Sequence, residues 1–181
     1  MTHRAAVSRY STVSIALHWL MLALFIGVYA AIELREFYPR GSDAGEAMKA
    51  WHFTLGLSVF ALVWLRIVAR LLMPTPAPLN EPAWRSLAAK GVHLALYALM
   101  IGMPLAGWVI LSAEGNAIPF WGFSLPAIAP VDRNLAHNVE ELHELGGTLG
   151  YWLIGLHAAA SLFHHYVLKD GLMRRMMPGP V

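Results

Sequence analysis

Apolar residues fall in four long runs, at about 11–33, 49–72, 86–111 and 137–168, with shorter polar or proline-rich connections between them. Each run meets the length of roughly 20 residues that a helix needs to cross the hydrocarbon of a bilayer. The pattern therefore predicts an all-α fold, an integral membrane four-helix bundle formed as one domain over residues 1–181. The connection MPTPAPLNEP cannot continue a helix and must link the second run to the third. The stretch 112–136, rich in glycine, proline and aromatics, reads as a cap lying at the membrane surface. A basic start and small residues near Tyr29-Ala30-Ala31 imitate a signal peptide, but the first run is long enough to span and carries His18 and Trp19 inside it. It is expected to be the first membrane helix.

The fourth run organises the rest, because His143, His157 and His164 lie along one stripe of it. Fourteen residues separate His143 from His157; at about 100° per residue they fall only about 40° short of four full turns, with a rise of roughly 21 Å. Both imidazoles thus face one way at two depths. His18, about two turns into the first run, matches His157 in depth, and His52, near the start of the second, matches His143. Ionisable side chains at membrane depth are costly and mark functional sites.

Composition agrees with a membrane protein: 57% of residues are hydrophobic and 13% charged, against roughly 25% charged in ordinary soluble domains. The net charge of +2 and the scattered basic residues argue against nucleic acid as a partner. Nine cations (Arg4, Arg9, Arg66, Arg70, Arg85, Lys90, Lys169, Arg174 and Arg175) flank the N-terminus, the 72–86 connection and the C-terminus; the other two loops with their flanks hold Arg35, Arg40, Lys49 and Arg133. The positive-inside rule then places both termini in the cytoplasm.

Two neutral imidazoles facing each other across a bundle core suit the two axial positions of a haem iron. His52 with His143, and His18 with His157, are accordingly the expected ligands of two haems. Zero cysteines exclude covalent c-type haem and cysteine-ligated iron–sulfur clusters. Gly56, Gly146, Gly147 and Gly150 would let a flat macrocycle approach the backbone near the outer pair. His93, near the start of the third run, could replace His18 as ligand or hydrogen-bond a haem propionate or a quinone. His164 suits a hydrogen bond to a quinone carbonyl or a proton relay, or else an interfacial belt with His165 and Tyr166. Arg66 or Arg70 would neutralise haem propionates near the inner pair, and cytoplasmic anchoring explains both equally well.

Tyr10-Ser11 followed by Ala16-Leu17-His18-Trp19, Trp51-His52 with Gly56, and His143-x-x-x-Gly147 through Gly155-Leu156-His157-Ala158-Ala159-Ala160 to His164-His165-Tyr166 resemble the bacterial cytochrome b561 family. The resemblance extends from about residue 8 to 178. Segments 33–40 and 175–178 are similar to a free-standing dihaem branch that oxidises superoxide. The family resemblance implies two haem b groups held by His18, His52, His143 and His157 in a bacterial cytoplasmic membrane. It also implies superoxide as donor at the outer face and ubiquinone as acceptor at the inner face. For the anionic donor, Arg35, Lys49 and Arg133, with Arg40, are the outer cations able to attract it. For the quinone, His164 is the first expectation and Ser11 the next, with Arg85 and Lys90 on the same side. Relatives also serve as membrane electron-transfer subunits of hydrogenases and dehydrogenases, so a dehydrogenase partner is the competing expectation. A non-redox protein using the histidines as proton relays is a third.

Overall fold

The computed structural model describes residues 9–178. Helix α1 spans Thr12–Arg35, α2 Asp43–Leu72, α3 Ala83–Glu114 and α4 Arg133–Phe163. Polar caps set several of these ends. Ser11 Oγ accepts from the Ser14 N–H at α1, Ser42 Oγ accepts from Gly45 at α2, and Asp132 accepts from Asn134 and Leu135 at α4. At the other end of α3, Gly115 takes a left-handed conformation with φ of 77°, and the chain leaves the helix there. Helices α2 and α4 begin earlier than their apolar runs, because their first turns carry polar residues held by side-chain caps.

Helix α1 packs along α2 and α3 along α4, with α2 against α3 joining the two hairpins. The central core is Met21, Val59, Val63 and Met100, drawn from α1, α2 and α3. Large apolar side chains point outward all along the bundle, among them Ile26, Leu65, Leu71, Leu94 and Trp152. Such a surface is stable only against lipid. Helices α1, α2 and α3 are each long and apolar enough to cross a membrane. Helix α4 is less uniformly apolar, since Glu140, Glu141 and Glu144 lie in its first half and four glycines and His157 follow them.

The 112–136 segment is more ordered than a surface cap need be. It forms a hairpin of β1, Ile118–Phe120, and β2, Phe123–Leu125, with Phe120 paired to Phe123. The turn residues Trp121 and Gly122 both have positive φ, 48° and 86°, which matches the twist of a two-residue hairpin. Ile118 is buried with Leu57 and Leu111, and Trp121 Nε1 donates to Ser58 Oγ at 3.0 Å, so the hairpin is pinned onto α2 and α3.

Past Phe163 the last helix widens into a π-helical turn, His164–Leu168, and Lys169 ends it at φ 53°. The chain then reverses through Gly171, at φ 79°, into a 3-10 turn, Met173–Met176. This tail crosses the start of α1. The Tyr10 N–H donates to Arg175 O, Trp19 Nε1 to Met176 O, and Arg9 to Met177 O; Arg175 reaches Ala77 O in the α2–α3 connection.

Candidate haem-binding centre

Helices α1, α2 and α4 bring the expected imidazoles together at two levels. His52 and His143 have ring centroids 6.1 Å apart with planes at 74°, and His18 and His157 are 6.2 Å apart at 80°. Two imidazole nitrogens each about 2 Å from one metal lie about 4 Å apart, and adding the two half-rings gives centroids about 6 Å apart. Both pairs fit that spacing.

At the outer level His52 Nδ1 lies 3.0 Å from the Val28 carbonyl. A carbonyl only accepts, so Nδ1 carries the proton and Nε2 is left with its lone pair, as a metal ligand requires. His143 Nδ1 is buried and makes no hydrogen bond of good geometry, with the Met103 backbone beside it. A cavity of about 450 Å³ opens from these two rings. Gly56 lies one turn beyond His52 and Gly147 one turn beyond His143. Both line the cavity, and a Cβ added at either would meet nothing within 4 Å. Two imidazoles from opposed helices, each with a bare glycine one turn away, form a slot for a flat macrocycle.

The four glycines expected to serve that approach divide into two kinds. Gly146 makes room for the Met103 sulfur and Gly150 for the Tyr29 hydroxyl, and a Cβ at either would overlap those atoms. Their role is packing. Tyr29 OH donates to Gly147 O at 3.0 Å and its ring lies 4.2 Å from that of Tyr151, whose hydroxyl donates to Glu33 at 2.7 Å. This Tyr29–Tyr151–Glu33 chain lines the cavity and joins α1 to α4. The only trace of it in the sequence is that Tyr29 lies eleven residues, just over three turns, beyond His18 on the same stripe.

At the inner level a third imidazole is present. His93 lies 5.5 Å from His157 at 66°, closer than His18. That separation is short of the metal-bridged spacing, so the geometry favours His18 for ligation and leaves His93 as a neighbour. Arg66 donates to Ser14 O at 3.4 Å and lies near enough to act electrostatically on His18, His93 and His157. Arg70 acts electrostatically on His93 and stacks over Tyr10 at 5.2 Å.

The remaining candidates are scattered. Arg35 and Lys49 line the outer cavity, Arg35 with Glu36 at 3.7 Å and Lys49 with its Nζ 6.0 Å from the Phe53 ring. Arg133, the first residue of α4, is exposed and does not line that cavity. Ser11 is engaged as the α1 cap, its hydroxyl donating to Ser14 Oγ at 3.0 Å. His164 pairs through Nδ1 with Asp170 Oδ2 at 2.5 Å, both side chains largely covered at 15% and 25% exposure. Sequence spacing missed Asp170, because it approaches His164 only after the chain reverses. Burial alone would raise the Asp170 carboxyl, but hydrogen bonds from the Leu172 N–H and from His164 hold it below the usual carboxylate range.

Residues 9–179 match the family model described as prokaryotic cytochrome b561. The chain belongs to that family. It is 39% identical over 172 residues to the probable superoxide oxidase CybB of Yersinia pestis, covering 94% of this chain and 96% of that protein. It is 34% identical over 173 residues to cytochrome b561 homolog 1 of Escherichia coli K12, covering 95% and 98%, and 30% identical over 172 residues to cytochrome b562 of Cereibacter sphaeroides, covering 93% and 94%. As a cytochrome b561 the chain is a multi-pass protein of the bacterial inner membrane that carries haem b and transfers electrons. The imidazole pairs and the glycine slot fit that cofactor.

Proposed function

We propose that this cytochrome b561 is a superoxide:ubiquinone oxidoreductase with two haem b groups, one held by His52 and His143 and one by His18 and His157. Two superoxide anions each give up one electron at the outer face and leave as O2. One ubiquinone takes the two electrons and two protons at the opposite end and leaves as ubiquinol. Haem b, held at each level by these imidazoles, would supply a one-electron carrier.

The observation that carries this reading is the stacking of two imidazole pairs at metal-bridging spacing, with Arg35 and Lys49 at the cavity of the outer pair. Likeness to the probable superoxide oxidase of Yersinia pestis supports the choice of donor. The remaining roles follow from the chain's own groups. Arg35 and Lys49 attract the small anion. Tyr29 and Tyr151 line the cavity beside the outer imidazoles and tie α1 to α4 there. Arg66 offsets carboxylate charge at the inner level. Asp170 accepts from the His164 Nδ1–H and fixes the ring, so Nε2 is the atom that takes up a proton from the cytoplasmic side and passes it to a quinone oxygen. Ser11 is the second candidate there. With the basic ends of the bundle inside, those protons come from the cytoplasm.

The test is an anaerobic optical titration of the purified holoprotein. Superoxide should reduce both haems and ubiquinone should reoxidise them, with superoxide lost faster than by spontaneous dismutation. Haems left oxidised by superoxide would overturn the reading. One observation favours a second role, as an electron-transfer subunit. Glu33, Glu36, Glu114, Glu140 and Glu144 also line the outer cavity and would suit a donor protein with a basic face. A companion polypeptide that copurifies and reduces the haems would establish it.

A further inference from the structure

At the far end of α4 a second cavity, of about 270 Å³, is lined by His165, Tyr166, Lys169, Gly171 and Arg174. Three of these five carry basic groups and none is acidic. The backbone makes this convergence. The π-helical turn widens the end of the helix, Lys169 and Gly171 at positive φ reverse the chain, and the 3-10 turn brings Arg174 back beneath His165. Asp170, the carboxylate within this turn, does not line the cavity. Its Oδ2 is engaged with His164 and its Oδ1 accepts from the Leu172 N–H at 3.0 Å. Among the described residues neither Lys169 nor Arg174 makes an ion pair or a side-chain hydrogen bond. By contrast Arg66, Arg70, Arg85 and Arg175 each engage a carbonyl or an aromatic ring.

The cavity lies immediately past the last apolar helix. Exposed Tyr166 and Val167 precede it, and the His165 and Tyr166 rings sit edge to face at 4.7 Å. That is the level of lipid headgroups, where an aromatic anchor followed by clustered cations meets phosphate. A guanidinium, an ammonium and an imidazole lining one cavity that has no acidic lining residue complement a tetrahedral anion. We propose that His165, Lys169 and Arg174 form a phosphate-binding site that holds the headgroup of an anionic phospholipid and so fixes the tail 169–178 at the membrane surface. The site is separate from the haem ligands and does not depend on the choice of electron donor.

The test uses the detergent-purified, haem-loaded full chain, stripped of lipid and titrated in native mass spectrometry with phosphatidylglycerol, phosphatidylcholine or inorganic phosphate. Phosphatidylglycerol should bind one site per chain more tightly than phosphatidylcholine, and the double variant K169A/R174A should bind it roughly tenfold or more weakly with its haem content unchanged. The charge-keeping variant K169R/R174K should restore binding. Inorganic phosphate that binds wild type but not K169A/R174A, while phosphatidylglycerol does not bind, would keep the phosphate site but overturn the lipid as its occupant. Equal binding of phosphatidylglycerol by wild type and K169A/R174A, or equal binding of phosphatidylcholine and phosphatidylglycerol, would overturn the proposal.

Discussion

One hydrogen bond decides how His52 can act, since a proton held on Nδ1 by the Val28 carbonyl leaves Nε2 as the only basic nitrogen. No comparable bond distinguishes the three inner imidazoles, and there the separations decide. His18→Ala should lose one of two haems, while His93→Ala should keep both, as measured by pyridine haemochrome per chain. The reverse result would make His93 the ligand. His164 and Asp170 form the other residue-scale unit. A carboxyl held below its ordinary range stabilises the fold fully above its unfolded value near pH 4 and loses that contribution as pH falls through its lower folded value. Wild type should therefore unfold at higher temperature than Asp170→Asn at pH 6, and the gap should close on acidification below about pH 4. A gap that persists in acid would mean that the Asp170 charge contributes nothing.

Elements differ in how plainly the sequence announces them. Helices α1 to α4 were legible because long apolar runs have few alternatives in a membrane, and the histidine pairs because helical spacing converts residue number into depth. The β1–β2 hairpin was not, since Ile118 and Trp121 earn their places through contacts with α2 and α3 that no local pattern encodes. The tail was equally silent, because its bonds to Tyr10, Trp19 and Ala77 join residues about a hundred or more positions apart. The glycines of α4 were visible, but their division into slot and packing positions was not. That division is testable. Gly147→Leu should fill the outer slot and leave one haem per chain with the inner spectrum intact. Gly150→Ala should retain both haems but push Tyr29 aside, costing on the order of 1–3 kcal/mol of stability in thermal unfolding. Loss of haem from Gly150→Ala but not from Gly147→Leu would reverse the assignment.

Across the whole molecule the charges oppose each other at the face where, in the proposed reaction, superoxide would arrive. The outer loops and their flanks carry nine acids against four cations, and the cavity itself is lined by five glutamates against Arg35 and Lys49. At low salt the long-range potential there is negative and slows a small anion. Beyond a Debye length of about 10 Å at 0.1 M salt that repulsion is screened, while contacts inside the cavity are screened much less. The superoxide oxidation rate should therefore rise between low and physiological ionic strength, opposite to the fall seen where cations steer a substrate. Removing the local attraction should act separately. Arg35→Ala with Lys49→Ala should lower the rate several-fold at every salt concentration and leave the slope against ionic strength still positive. Stopped-flow measurement of haem reduction by superoxide checks both. A rate that falls with salt in wild type would mean that Arg35 and Lys49 outweigh the glutamates even at long range. The acidic rim would then be a feature for binding a protein donor, with no bearing on how superoxide arrives.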